Sequence, residues 1–289
     1  MHYLDHAATT PVLPEVRAVM LGALEEDFGN PSSVHTYGRR AKEIVEDARD
    51  KVAAAVSASP SEIIFTGSGT EADNLALKGA AAKLRGNGTH LVTTNVEHHA
   101  VLHTMDWLGK QGFEVTKLPV SADGRVTPDQ VGAAVKPQTI LVSVMAVNNE
   151  IGTIQDIAAI AAAVKSANPN TLVHTDAVQA FGNIPVNLHA WGVDLAAFSA
   201  HKLGGPKGTG ALFVRSSVPV ETIMHGGGHE RGLRSGTLNV AGIAGFGAAA
   251  EIAAKEVYEK AERLAVMRDG MLSAIKEIVP DLVLNGTPD

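Results

Sequence analysis

The sequence of 289 residues contains no cysteine. Disulfides, thiolate metal sites and a cysteine nucleophile supplied by these residues are therefore excluded. Runs of Lys or Arg are also missing, and a formal net charge of -7 with a pI near 5.9 gives no general positive field for nucleic acid. No apolar stretch reaches the roughly 20 residues that a membrane-spanning helix needs. The opening residues Met1 to His6 have neither a basic nor an apolar signal region, so a cytosolic protein is expected. Internal repeats and low-complexity linkers are absent as well. What remains, 45% hydrophobic and 19% charged, is the composition of a globular chain large enough for a substantial core and more than one domain. Small molecules or proteins are the expected partners.

Strand-like and helix-like segments alternate, which argues for an α/β fold with a mostly parallel sheet. Seven short β-branched or apolar runs read as strands: residues 62–66, 90–94, 113–118, 139–145, 172–175, 194–199 and 210–214. Between them, residues 39–56, 71–84, 100–110 and 157–166 are rich in Ala with apolar positions at helical spacing. From Val240 to Ile278 the pattern is helical, with a break expected near Glu259 or Lys260. Asp281 to Leu284 then reads as a further strand. Such a strand would present an open apolar edge, so more sequence is expected to follow Asp289.

Five segments carry chemistry. Thr66-Gly67-Ser68-Gly69-Thr70-Glu71 follows a strand and opens a helix, so backbone N–H groups and hydroxyls converge at the positive helix end. The segment is an anion cradle or a plain tight turn; its spacing matches neither a Walker loop nor a dinucleotide fingerprint. Asp176 follows the apolar run Leu172 to Thr175, where open α/β sheets keep their ligands. It could hold a protonated ring nitrogen or cap the next helix, and Gln179 could reach the same ligand or face solvent. Lys202 ends the run Leu195 to Ser199-Ala200-His201 and precedes a glycine-rich turn, which suits an amine of lowered pKa able to form a Schiff base. Ser199 and His201 beside it could donate to a phosphate or serve as local hydrogen-bond partners. Finally, His98 and Asn149 each follow a strand; the imidazole could stack on a flat ring, cap the next helix or bind a metal, and the amide could contact a phenolic oxygen or a carboxylate or belong to a plain turn.

In their joint order these segments resemble the cysteine desulfurases of the class-V aminotransferase family. The likeness runs from Tyr3-Leu4-Asp5-His6-Ala7-Ala8-Thr9-Thr10-Pro11, through Asn30-Pro31-Ser32-Ser33-Val34-His35, to His225-Gly226-Gly227-Gly228-His229-Glu230 and Ser235-Gly236-Thr237. It implies a fold-type I architecture: a large domain at residues 12–258 that binds pyridoxal 5'-phosphate, and an incomplete small domain from residues 1–11 and 259–289. It further implies that Lys202 forms the internal aldimine, that Asp176 pairs with the pyridinium nitrogen, and that His98 stacks on the ring. Gln179 and Asn149 would approach the phenolic oxygen, Asn149 also the substrate, while Gly69, Thr70, Ser199 and His201 would hold the phosphate. Thr237 would reach the phosphate of a neighbouring subunit, which implies a homodimer.

In that family L-cysteine displaces the lysine, the freed amine moves the Cα proton, and an enzyme cysteine attacks the substrate sulfur, leaving alanine and a persulfide. Family members continue beyond the position of Asp289, and the cysteine and a carboxylate-binding arginine lie there. These residues are thus expected to belong to a truncated or split cysteine desulfurase acting in sulfur supply for iron-sulfur clusters, its C-terminal portion or a scaffold protein as partner. Another class-V aminotransferase or lyase, and a non-catalytic cofactor-binding subunit, are the alternatives.

Overall fold

The computed structural model describes residues 2–287. Eight α-helices occur among them: α1 (Pro14–Glu25), α2 (Thr36–Ala55), α3 (Gly69–Leu84), α4 (His99–Lys110), α5 (Pro128–Ala134), α6 (Ile157–Ala167), α7 (Leu188–Trp191) and α8 (Val240–Ile278). The strands are β1 (Ile63–Thr66), β2 (His90–Thr94), β3 (Glu114–Leu118), β4 (Thr139–Ser143), β5 (Leu172–Asp176), β6 (Leu195–Ser199) and β7 (Gly210–Val214). All seven join one sheet in the order β1-β7-β6-β5-β4-β2-β3. Every pairing is parallel except those of β7, which runs antiparallel to both β1 and β6.

Both faces of the sheet are covered, which is why six of its strands are buried along their whole length. Alternate residues divide between two apolar layers. Phe65, Val92, Val142, Val173, Phe198 and Phe213 face one layer, which includes Val16, Val45, Ile160 and Phe246 from α1, α2, α6 and α8. Ile64, Leu91, Leu141, Leu172, Leu195 and Leu212 face the other, with Leu75 and Leu77 of α3 and Val101 and Met105 of α4. Helices α2 and α8 approach so closely that a Cβ on Gly247 would lie 2.6 Å from the Ala48 Cα, so the crossing requires a glycine.

Two expectations for the C-terminal region fail. Helix α8 is continuous for 39 residues through Glu259 and Lys260. Lys260 Nζ donates to the Gly182 carbonyl at 3.0 Å, so this lysine is an anchoring point on the core. Nor do residues 281–284 form a strand: Leu282 N–H closes a turn on Val279 O at 3.1 Å, and the residues that follow are irregular. Two longer helices escaped the sequence reading. Helix α1 places a proline at its start and keeps few apolar residues inward, and α5 is seven residues long; neither has a strong periodic signal.

The loop between β7 and α8 is fastened by a buried ion pair. Arg49 donates through Nη2 to Glu230 Oε1 at 2.7 Å and through Nη1 to Oε2 at 2.8 Å, with both side chains at most 4% exposed. Glu230 Oε2 also accepts the Phe65 N–H at 2.6 Å. The backbone of Glu230 and Arg231 is left-handed there, at φ +46° and +57°, a strained geometry that the surrounding contacts maintain. Glu230→Ala should destabilise the fold by about 3 kcal/mol, because it leaves the buried guanidinium with only the half-exposed Glu46 and the Ile63 carbonyl as partners. Replacing both partners with apolar residues of similar volume should recover much of that loss in chemical denaturation.

Candidate active site

The C-terminal ends of β2, β4, β5 and β6 open on one cavity of about 440 Å³, the position where open α/β sheets keep ligands. Its lining includes Gly69, Thr70, His98, Asn149, Asp176, Gln179, Ser199, His201 and Lys202. Nine of the sequence-derived site residues are thus brought together from positions spread over more than a hundred residues of chain. Thr237 does not line it; the residue is exposed in the loop before α8.

Helix α3 begins at the cavity rim because Ser68 caps it, its Oγ accepting the Glu71 N–H at 3.1 Å. Gly69 must be a glycine: a Cβ there would lie 2.7 Å from Val178 Cγ2 and 3.4 Å from Ser199 Cβ. The first-turn carboxylate of Glu71 would oppose an anion at this helix end. Arg234 neutralises it with an Nε–Oε1 contact of 2.7 Å, while Glu71 Oε2 accepts the Gly67 N–H at 2.8 Å. The helix start is therefore left as a cradle of net positive character.

Lys202 follows β6 and is half-buried. Its Nζ donates to the carbonyls of Ala7 and Ala8, the latter at 2.9 Å. Burial lowers its pKa, partly opposed by Asp176 and Asp5. The N-terminal stretch that supplies those carbonyls is tied to the lysine turn. Thr10 N–H donates to His201 O at 3.0 Å, Thr9 Oγ1 meets His201 Nδ1 at 3.0 Å, and Gly204 N–H donates to Thr10 Oγ1 at 2.9 Å. Gln179 Nε2 also donates to Ala7 O at 3.0 Å.

Asp176 is buried, and Oδ1 accepts the Val178 N–H at 2.9 Å, so the cap-like contact and a ligand-facing role coexist in one carboxylate. Burial raises its pKa; the Val178 N–H, His98 and Lys202 act in the opposite direction. His98 caps α4 through Nδ1, which accepts the Ala100 N–H at 3.1 Å, leaving the imidazole exposed over the cavity. Asn148 is the structural member of its pair: Oδ1 accepts the N–H groups of Glu150 and Ile151, and the turn so formed presents Asn149.

Sequence reasoning missed the acids beneath the cavity. Asp73 is 1% exposed and lines it; Glu97, also buried, accepts from Thr94 Oγ1 at 2.8 Å and from Met145 N–H at 3.0 Å. A signal existed for Asp73, since Gly69, Asp73, Ala76 and Ala80 form one buried stripe of α3 at helical spacing. Burial pushes Glu97 up to about 8.

The aminotransferase class-V family model matches residues 2–286. The chain belongs to the class-V aminotransferase family. It is 48% identical over 284 residues to the cysteine desulfurase IscS of Dictyoglomus turgidum, an alignment covering 98% of this chain and 72% of that relative. A NifS-like protein of known structure superposes with a TM-score of 0.93 at 45% identity, over 95% of this chain and 75% of the other. The structure described as SspA in complex with cysteine gives 0.84 at 39% identity, over 87% and 72%. The resemblance read from the motifs and the fold-type I architecture both hold, and the chain is a member of an enzyme family.

Between the ordinary Glu97 value of 4.5 and about 8, the folded chain holds a proton that the unfolded chain releases. Stability from this group therefore falls as pH rises through that window and levels off above it. Glu97→Gln should flatten the decline, measured as urea midpoints between about pH 5 and pH 8.

Proposed function

We propose that this chain forms the pyridoxal 5'-phosphate site of a cysteine desulfurase, taking L-cysteine as substrate, with the acceptor thiol supplied from outside these 289 residues. The observation that carries the proposal is the convergence of a half-buried amine of lowered pKa, Lys202, and a buried carboxylate, Asp176, on one cavity rimmed by a helix N-terminus. The residues fit the cofactor on their own chemistry. Asp176 is buried with a single backbone donor on Oδ1 and suits a cationic ring nitrogen. The Ser68–Thr70 turn, Ser199 and His201 suit a phosphate, His98 suits a ring face, and Gln179 and Asn149 suit a phenolic oxygen or a substrate carboxylate.

When bound, the cofactor supplies an electron sink for the pair left at an amino acid's Cα on proton loss. The protein's residues do the rest. Lys202 Nζ would hold and move the proton, a task that its lowered pKa favours. Asp176 would hold a cationic ring nitrogen, and His98 would bound a ring face.

The name of the relative, cysteine desulfurase IscS, supports a role in sulfur supply for iron-sulfur clusters, and the cysteine named with SspA supports L-cysteine as the substrate. Because the 289 residues contain no cysteine, persulfide formation requires a thiol on a separate C-terminal polypeptide, a longer form of the chain or an acceptor scaffold protein. Thr237, exposed before α8, is suited to contact the phosphate of a second copy in a homodimer. The residues 12–258 would act as the large domain, with 1–11 and 259–289 contributing to a small one, in a cytoplasmic enzyme.

Adding pyridoxal 5'-phosphate to the purified chain should produce a visible absorption band that shifts with L-cysteine, with alanine appearing only when a thiol-bearing partner is also added. Alanine and sulfide from the chain alone would overturn the requirement for an outside thiol, and absence of any band would overturn the cofactor assignment. Lys202→Ala should abolish the lysine-dependent band. Asp176→Ala should weaken cofactor binding by about 10- to 150-fold, the loss of one charge-assisted contact, measured by equilibrium dialysis.

A further inference from the structure

Directly beneath the cavity, two buried polar atoms face each other without a satisfied hydrogen bond: Asp73 Oδ1 of α3 and His174 Nε2 of β5, 3.4 Å apart. Both residues are at most 1% exposed. The other imidazole nitrogen, Nδ1, is 2.8 Å from Ser143 Oγ of β4. A buried donor or acceptor without a partner is costly, so one proton must lie between Asp73 and His174. It can reside on the imidazole, facing a carboxylate, or on the carboxyl, facing a bare nitrogen.

The charges around the pair decide which. Asp73 is approached by two other buried carboxyl groups, Asp176 and Glu97, and both raise its pKa further after burial has done so. Asp176 has the Val178 N–H, Lys202 and His98 to favour its charged form, whereas Asp73 has no such neighbour acting on it. Burial pushes His174 down to about 3, so the imidazole does not supply a compensating positive charge. Two like charges in one desolvated site resolve by one group keeping its proton.

We propose that Asp73 is a neutral carboxylic acid that donates to His174 Nε2, fixing the imidazole as the Nδ1–H tautomer that donates to Ser143, and that Asp73 is a positioning residue for Asp176. The inference deepens the cofactor assignment above and rests on it for its consequence. With Asp73 and Glu97 neutral, Asp176 is the one of these three buried acids that carries charge, matched to a ligand with one positive charge at that end. His174 and Asp176 lie two residues apart on β5 and so share the face turned towards α3. The chain from Ser143 through His174 to Asp73 thereby holds the strand end from which Asp176 projects.

Nitrogen-15 NMR of histidine-labelled, cofactor-free protein, assigned with a His174→Gln variant, reads the tautomer directly. The expected result is a neutral His174 protonated on Nδ1 from about pH 6 to pH 8. A proton on Nε2, or an imidazolium, would overturn the proposal. A second measurement compares pyridoxal 5'-phosphate binding in two variants. Asp73→Asn can still donate to Nε2 and should bind at least about tenfold more tightly than Asp73→Leu, which cannot. Equal weakening in both would show that a carboxylate charge at residue 73 is what binding needs, and would also overturn the proposal. If Asp73→Leu does not fold, the tautomer of the unaltered chain still decides. Failure of the unaltered chain to bind the cofactor would sink the functional reading while leaving the tautomer result to judge the neutral acid.

Discussion

A carboxylate removed from water at the end of a parallel strand has to be matched by a positive charge, and the architecture around the cavity follows from that requirement. Asp176 ends β5 in the middle of the sheet, buried and held by one backbone N–H. Keeping it ionised without a ligand is costly. Lys202 and His98 relieve part of that cost from the cavity side, and the charge of Asp176 in turn favours the protonated forms of Asp73 and Glu97 below it. A ring nitrogen bearing a proton is the kind of group that completes such a site.

The scaffold keeps this arrangement in register by close contact more than by ion pairs on the surface. Gly69 lets the start of α3 approach Val178 and the end of β6, so the anion cradle and the Asp176 turn are neighbours. The antiparallel strand β7 brings Gly210 level with both Ser199 and Thr66, tying the lysine strand to the strand that leads into the cradle. The loop containing Glu230 and Arg234 then spans back over this edge. One of its residues enters a buried bidentate pair with Arg49, and the other neutralises Glu71 at the helix start. Loss of the loop would therefore affect both stability and the charge of the cradle.

Much of this was legible in the residue order. All seven strands were marked by short β-branched or apolar runs, and the cavity residues were marked by their place just after those runs. Asp176 caps no helix, since only a turn follows it; its Oδ1 accepts the Val178 N–H within that turn while the residue lines the cavity. Legibility ended where the pattern was local and the cause distant. A helix-like repeat said nothing against a break near Glu259, and the docking of Lys260 on the Gly182 carbonyl accompanies a helix that runs straight through. The apolar triplet at 282–284 had strand composition, but a strand needs a paired neighbour, and these residues form no ladder in the structure.

The sequence by itself determined the fold class, the strand set, the family and the chemical identities of the groups in the cavity, because these depend on periodicity and on residues at fixed offsets from strand ends. Tertiary structure alone decided the charge balance. Asp73, Glu97 and His174 are far apart in the chain and unremarkable one by one. They acquire their protonation states only when α3, the β2–α4 turn and β5 exclude water from the same small volume, because desolvation and like-charge repulsion depend on distance and burial, which residue order does not carry.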